Sequence, residues 1–328
     1  MNYLVTDEQL TATADAIREK TGGTDLITWD ESKGFADVVS GISAGGGGSD
    51  MLDALIDGSA TEVSNNTVTS IRKNCFIELK NLVSANFPLV TDVGQECFNG
   101  CIALKTVNIP LLDNINTSLF AACTSLETVD FPKVATIRQQ GFSGCSMLKE
   151  INFPLLTNIE TNAFYNCSTL ESVDFPLVTS MGSSVFSSCS KLKYAKFSKM
   201  TYVGDGAFNN CTMLESVDFP ASTQVKGSAF ARCSALESVD FPLVMSIDKN
   251  AFYNCNALKT IVLRKSDGIC TLSNTNAFTG TPFASGGTGG TVYCHQEFIE
   301  TYQNATNWST LYAAGTCNFV AIEGSEYE

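Results

Sequence analysis

From Phe76 to about Thr275 the apolar positions return every 22 residues. Phe stands at Phe76, Phe98, Phe120, Phe142, Phe164, Phe186, Phe208, Phe230 and Phe252. Three residues on come Cys101, Cys123, Cys145, Cys167, Cys189, Cys211, Cys233 and Cys255, with Leu79 in the first copy. Six residues on, Leu82 to Leu258 form an unbroken column. A fixed period of this length predicts a solenoid, whose coils bury an apolar stripe only by stacking on one another. A lone coil is not viable: ordering a backbone costs about 1–2 kcal/mol per residue, more than roughly six buried side chains return.

Within one copy, Leu126-Glu127-Thr128-Val129-Asp130-Phe131-Pro132 reads as a short strand. Leu126, Val129 and Phe131 turn inward, and Glu127, Thr128 and Asp130 face water. Pro132 lacks an N–H and ends the ladder. Val134 and Ile137 predict a second, weaker strand on another wall. Small residues precede several Phe (Ala163, Ala207, Ala229, Ala251), as a crowded corner requires. Gly100, Gly144, Asn166, Asn210 and Asn254 stand before cysteines and are the types that tolerate a left-handed turn.

The flanks do not repeat. Thr6-Asp7-Glu8-Gln9 has the form of a capping box and predicts a helix over about 7–20. Phe35 to Ile42 predicts a second one, and the pair needs a partner because so short a helix is marginal alone. Residues 1–44 are thus expected to form a helical module that docks to the solenoid or to another protein, or self-associates. Residues 45–50 form a Gly-rich linker. The solenoid occupies 51–277, with Met51, Leu52, Leu55 and Ile56 as a lid over its first edge. After Phe252 the spacing breaks, and residues 278–328 form a C-terminal cap with Trp308 packed on the last coil.

Composition narrows the function. Charged residues are 16% and the net charge is −14, a poor match to nucleic acid. No apolar stretch is long enough to span a membrane. The start MNYLVTDEQL lacks the basic and apolar regions of a secretory signal, and no anchor motif is seen. The expected location is therefore the cytoplasm, unless an unseen route exports the chain or assembles it into a larger particle. The 13 cysteines read as reduced, buried core fillers: parallel in-register thiols have poor disulfide geometry, and C-x-x-C zinc pairs are absent. Pairing of Cys270, Cys294 and Cys317 stays open. The single histidine, His295, has no matched nucleophile or acid, so no enzyme, cofactor or metal site is expected.

Two outward columns carry the candidate binding residues. Lys105, Glu127, Lys149, Glu171, Lys193, Glu215, Glu237 and Lys259 nearly alternate in sign. Neighbouring opposite charges each contribute about 0.2–1 kcal/mol and form a self-neutralising ladder. Glu215/Glu237 and Asp218/Asp240 put acids side by side, which predicts the most negative spot on the sheet. The copy carrying Lys193, Tyr194 and Lys196 loses its Pro and turns Tyr194 outward among lysines. That arrangement suits carbohydrate or protein contact, or else neutralises the acids of neighbouring coils.

The A-F-x-x-C-x-x-L-x-x-V-x-F-P pattern resembles the BspA-like bacterial leucine-rich repeats over roughly residues 60–280. The resemblance implies a β-rich solenoid, a right-handed superhelix with one parallel sheet per face. It also implies a non-enzymatic surface adhesin or binding module whose partner is a protein or glycan on a cell surface. LTATADAIREKTGG…GFADVVSGI resembles a helical module of tail-associated proteins of gut phages, implying host recognition by a phage or prophage tail. A bacterial surface adhesin and a structural spacer in a virion are the alternatives.

Overall fold

Each copy of the motif closes one coil because its inward residues alternate with short polar turns. In the computed structural model, which describes residues 58–284 and 286–328, strands of three or four residues such as Glu62–Ser64, Thr128–Asp130 and Ser238–Phe241 form one wall. Two-residue strands such as Thr136–Ile137 and Gln224–Val225 form a second. All paired strands run parallel, each in register with its counterpart in the next coil, as in Tyr194↔Ser216. The helical module, the linker and the lid expected over residues 1–57 lie outside the described residues.

The expected facing holds. Leu126, Val129, Phe131, Val134 and Ile137 are buried, and Glu127, Thr128 and Asp130 are exposed. Every Leu from Leu82 to Leu258 in the column is completely buried. All 13 cysteines are free and buried.

A third wall, not foreseen as one, runs along the Phe and Cys corner. Two residues in each coil adopt positive φ, four apart, as at Asn162 (58°) and Asn166 (58°). This turns alternate N–H groups along the solenoid axis. Asn162, Phe164 and Asn166 donate to the carbonyls of Ser183, Val185 and Ser187 in the next coil at 2.8–3.0 Å. The Phe-to-next-coil bond recurs without interruption from Phe76 to Phe252. Inside it the rings form a continuous stack, with centroids 5.4 Å apart for Phe142 and Phe164 and 5.5 Å for Phe186 and Phe208. Each column thiol donates to the Phe carbonyl of the preceding coil, as Cys167 Sγ does to Phe142 O at 3.2 Å. Burial in this apolar corner pushes the Cys145 and Cys189 thiols up to about 12.

The other two walls are interrupted. The long-strand wall divides into four hydrogen-bonded blocks, with joints after Thr106–Asn108, Glu150–Asn152 and Ser216–Asp218. The inward residues at these joints, Val107, Ile151 and Val217, are only half-buried, whereas Val129, Val173 and Val239 are buried. The short-strand wall breaks between Asp92–Val93 and Asn114–Ile115, and again between Ser180–Met181 and Tyr202–Val203. At the first of these breaks the Asn116 side chain donates to Val93 O.

The stack extends past residue 277. Phe278 lies 26 residues after Phe252, yet its ring is parallel to Phe252 at 5.6 Å. The extra residues bulge out, three of them before Thr271, which pairs with Ser246. Gly290–Cys294 and Cys317–Ala321 continue the long-strand wall in parallel. Two short helices, Ile299–Asn304 and Trp308–Ala313, close the end. Trp308 is completely buried, stacks near Phe278 at 5.7 Å and donates its indole N–H to Cys270 O.

Candidate functional site

The long-strand wall presents its polar columns to solvent because strand side chains alternate between faces. Tyr194 sits between Ser172 and Ser216 in register. Its small neighbours leave the half-exposed phenol standing above the sheet. Lys196, on the same face, pairs with Asp218 at 3.5 Å. Lys193 is exposed and, among the described residues, forms no ion pair.

The charge ladder is only partly formed. Lys149 bonds Glu127 at 3.3 Å, and exposed pairs of this kind contribute about 0–1 kcal/mol. The acids expected to form the most negative spot, Glu215, Asp218, Glu237 and Asp240, are partly neutralised in the structure. These residues straddle the joint between Ser216–Asp218 and Ser238–Phe241, where no strand pairing holds them side by side. Asp218 turns back to Lys196, and Asp240 turns forward to Arg264 at 2.8 Å. Like charges on adjacent strands are unfavourable, and each Asp finds a cation on its own side of the joint. Glu215 and Glu237 remain exposed without an ion-pair partner among the described residues. The Arg264 partner escaped the sequence reading because it follows the column by 24 residues, not 22.

The far end of this wall is covered by the chain's last residues. Arg264 also donates to Tyr327 O, and the Tyr327 ring lies 4.6 Å from Tyr293. His295 Nδ1 meets Glu323 Oε1 at 2.8 Å, and its other ring nitrogen contacts Arg264 O. The Glu323 hydrogen bond raises the imidazole pKa, and His295 in turn lowers that of the carboxyl. This histidine is a clasp for the tail.

Among the described residues no cluster of His, Cys, Asp or Glu could hold a metal ion. No described helix is long and apolar enough to cross a membrane.

Stacked parallel strands on an apolar Phe, Leu and Cys core define a leucine-rich repeat solenoid. The chain belongs to the BspA type leucine-rich repeat family, whose model matches in six copies over residues 59–171, 113–237 and 196–285. Comparison with curated proteins finds no match. Among solved structures, a leucine-rich repeat protein from Bacteroides ovatus is 22% identical with a TM-score of 0.52, covering 82% of this chain and 86% of its own. A leucine-rich repeat protein from Eubacterium ventriosum is 20% identical with a TM-score of 0.45, covering 72% of this chain and 87% of its own. A leucine rich cell surface protein from Faecalibacterium prausnitzii is 23% identical with a TM-score of 0.38, covering 67% and 76%. The Bacteroides likeness shows the fold. The family is of a protein-interaction, adhesion-like type and is not typically enzymatic.

Proposed function

We propose that this protein is a non-enzymatic adhesin that binds a cell-surface ligand, a protein first and a glycan second, on its long-strand wall. The observation that carries this reading is Tyr194, an aromatic raised between two serines and flanked by an unpaired Lys193. A rigid aromatic beside a cation is the side-chain set that dominates binding at protein interfaces. Glu215 and Glu237, on either side of the joint, supply free negative charge for the basic part of a partner. Binding-module status within the repeat family supports the same reading. The resemblance of the N-terminal stretch to phage modules supports a phage or prophage tail as the carrier; a bacterial surface is the alternative.

The test is binding of the full chain to intact bacterial cells and to their extracted surface proteins. Tyr194→Ala and Lys193→Glu are expected to weaken binding about tenfold, roughly 1.4 kcal/mol. Unchanged binding by both folded variants would refute this surface.

A further inference from the structure

The short-strand wall carries a feature that the adhesin reading does not use. One of its outward columns runs Arg138, Glu160, Gly182, Gly204, Lys226 and Asp248. Two glycines in succession strip the side chains from the middle of this column. Gly182 has no alternative: a Cβ there would lie 2.4 Å from Thr161 N. At the same place the wall loses its strand pairing, between Ser180–Met181 and Tyr202–Val203. The result is an open pocket of about 380 Å³, lined by Gln139, Asn158, Glu160, Thr161, Ser180 and Tyr202. Small-molecule sites span about 300–1,000 Å³.

The lining is polar with one aromatic, and its carboxylate and ring are held in place. Tyr202 donates its hydroxyl to Met181 O at 3.2 Å, pinning the half-buried ring across the break. Glu160 Oε2 accepts the Gln139 backbone N–H at 3.0 Å, which fixes the carboxylate and leaves Oε1 open. Among the described residues, the Asn158 and Gln139 amides and the Ser180 hydroxyl make no side-chain hydrogen bond. The fixed carboxylate and the immobilised ring lose little entropy when a ligand arrives, and the free amides are open to bond it. A carboxylate and amides bridge neighbouring hydroxyls, and an aromatic edge or face packs against C–H groups. A metal ion does not fit, because Glu160 is the pocket's single carboxylate.

We propose that this notch is a sugar subsite that binds one neutral hexopyranose, such as the terminal unit of a glycan. It lies on a different wall from Tyr194, so the two sites are separable. The test is titration of the full chain with methyl glycosides of glucose, galactose, mannose and N-acetylglucosamine, followed by ligand-observed NMR. At least one should bind with Kd of about 1–10 mM, the strength of a single small subsite. Glu160→Gln and Tyr202→Ala should each weaken it about tenfold or more, while Tyr194→Ala leaves it unchanged. Tyr202→Leu removes the aromatic ring while filling more of its space, and serves with the same expected loss if the alanine variant misfolds. Absence of binding by all four sugars overturns the proposal, as does binding that survives both notch variants. Sugar binding lost in Tyr194→Ala alone would move the subsite to the long-strand wall.

Discussion

At the scale of single residues, the corner of each coil depends on backbone handedness more than on side-chain chemistry. The position before each column cysteine, Cys101 to Cys255, adopts positive φ whatever occupies it: Gly144 (77°), Asn210 (63°), and also Ala122 (56°) and Arg232 (63°). A left-handed L-residue costs about 1–2 kcal/mol, so the surrounding ladder must over-determine these turns. Gly144 isolates that cost, because a Cβ there would meet only Ala122 backbone atoms at an ordinary 3.6 Å. Gly144→Ala is therefore expected to destabilise by about 1 kcal/mol and Gly144→Asn by less. Denaturant unfolding of both variants checks the order, and an unaffected Gly144→Ala would show that the turn carries no strain.

At the scale of elements, the three walls are unequal. The Phe corner is bonded through every coil, whereas the long-strand wall opens at three joints. Lys149, Lys193 and Lys259 donate their backbone N–H to the preceding coil at about 2.8 Å. Their counterparts Glu127, Glu171 and Glu237 sit at the joints and make no such bond. Amide exchange should accordingly be at least tenfold faster at these three glutamates than at the three lysines, since exposed and unbonded amides open at little cost. Equal protection at all six would mean that the joints are closed in solution. The joints also explain why neighbouring acids at Asp218 and Asp240 are tolerated, since each pairs away from the other.

At the scale of the whole molecule, the buried thiols couple stability to pH. Burial raises the thiols, to about 12 for Cys101, Cys145 and Cys189, from an ordinary value of 9.0. Below pH 9 both folded and unfolded chains keep these protons. Between about 9 and 12 the unfolded chain loses them and the folded chain does not, so the stability they support drains away as pH rises. The slope is about 1.4 kcal/mol per thiol for each pH unit. The guanidinium midpoint should therefore hold steady from pH 7 to 8.5 and fall steeply above 9. A Cys167→Ala variant should show a shallower fall, and a flat profile to pH 10.5 would contradict burial of the thiols. At neutral pH a thiol reagent should label none of the 13 cysteines in the folded chain and all of them after unfolding.

The period, the inward Leu and Phe columns, the reduced thiols and the outward charges were all legible in the sequence, because identical coils repeat identical local choices. Leu126 and Leu170 face inward wherever the coil is placed, since no other arrangement hides them from water. What only the tertiary structure decided depends on the contact between coils. The third bonded wall exists because positive φ aims alternate N–H groups at the next coil, and types such as Glu78, Ala122 and Arg232 do not announce that conformation. The joints and the Arg264 pairing across the bulged coil arise where the contact between neighbouring coils departs from the repeat, and the notch joins Gly182 and Gly204, visible in the sequence, to a break in strand pairing that is not. Such departures are set by the summed packing of many side chains, and no single position in the 22-residue pattern encodes them.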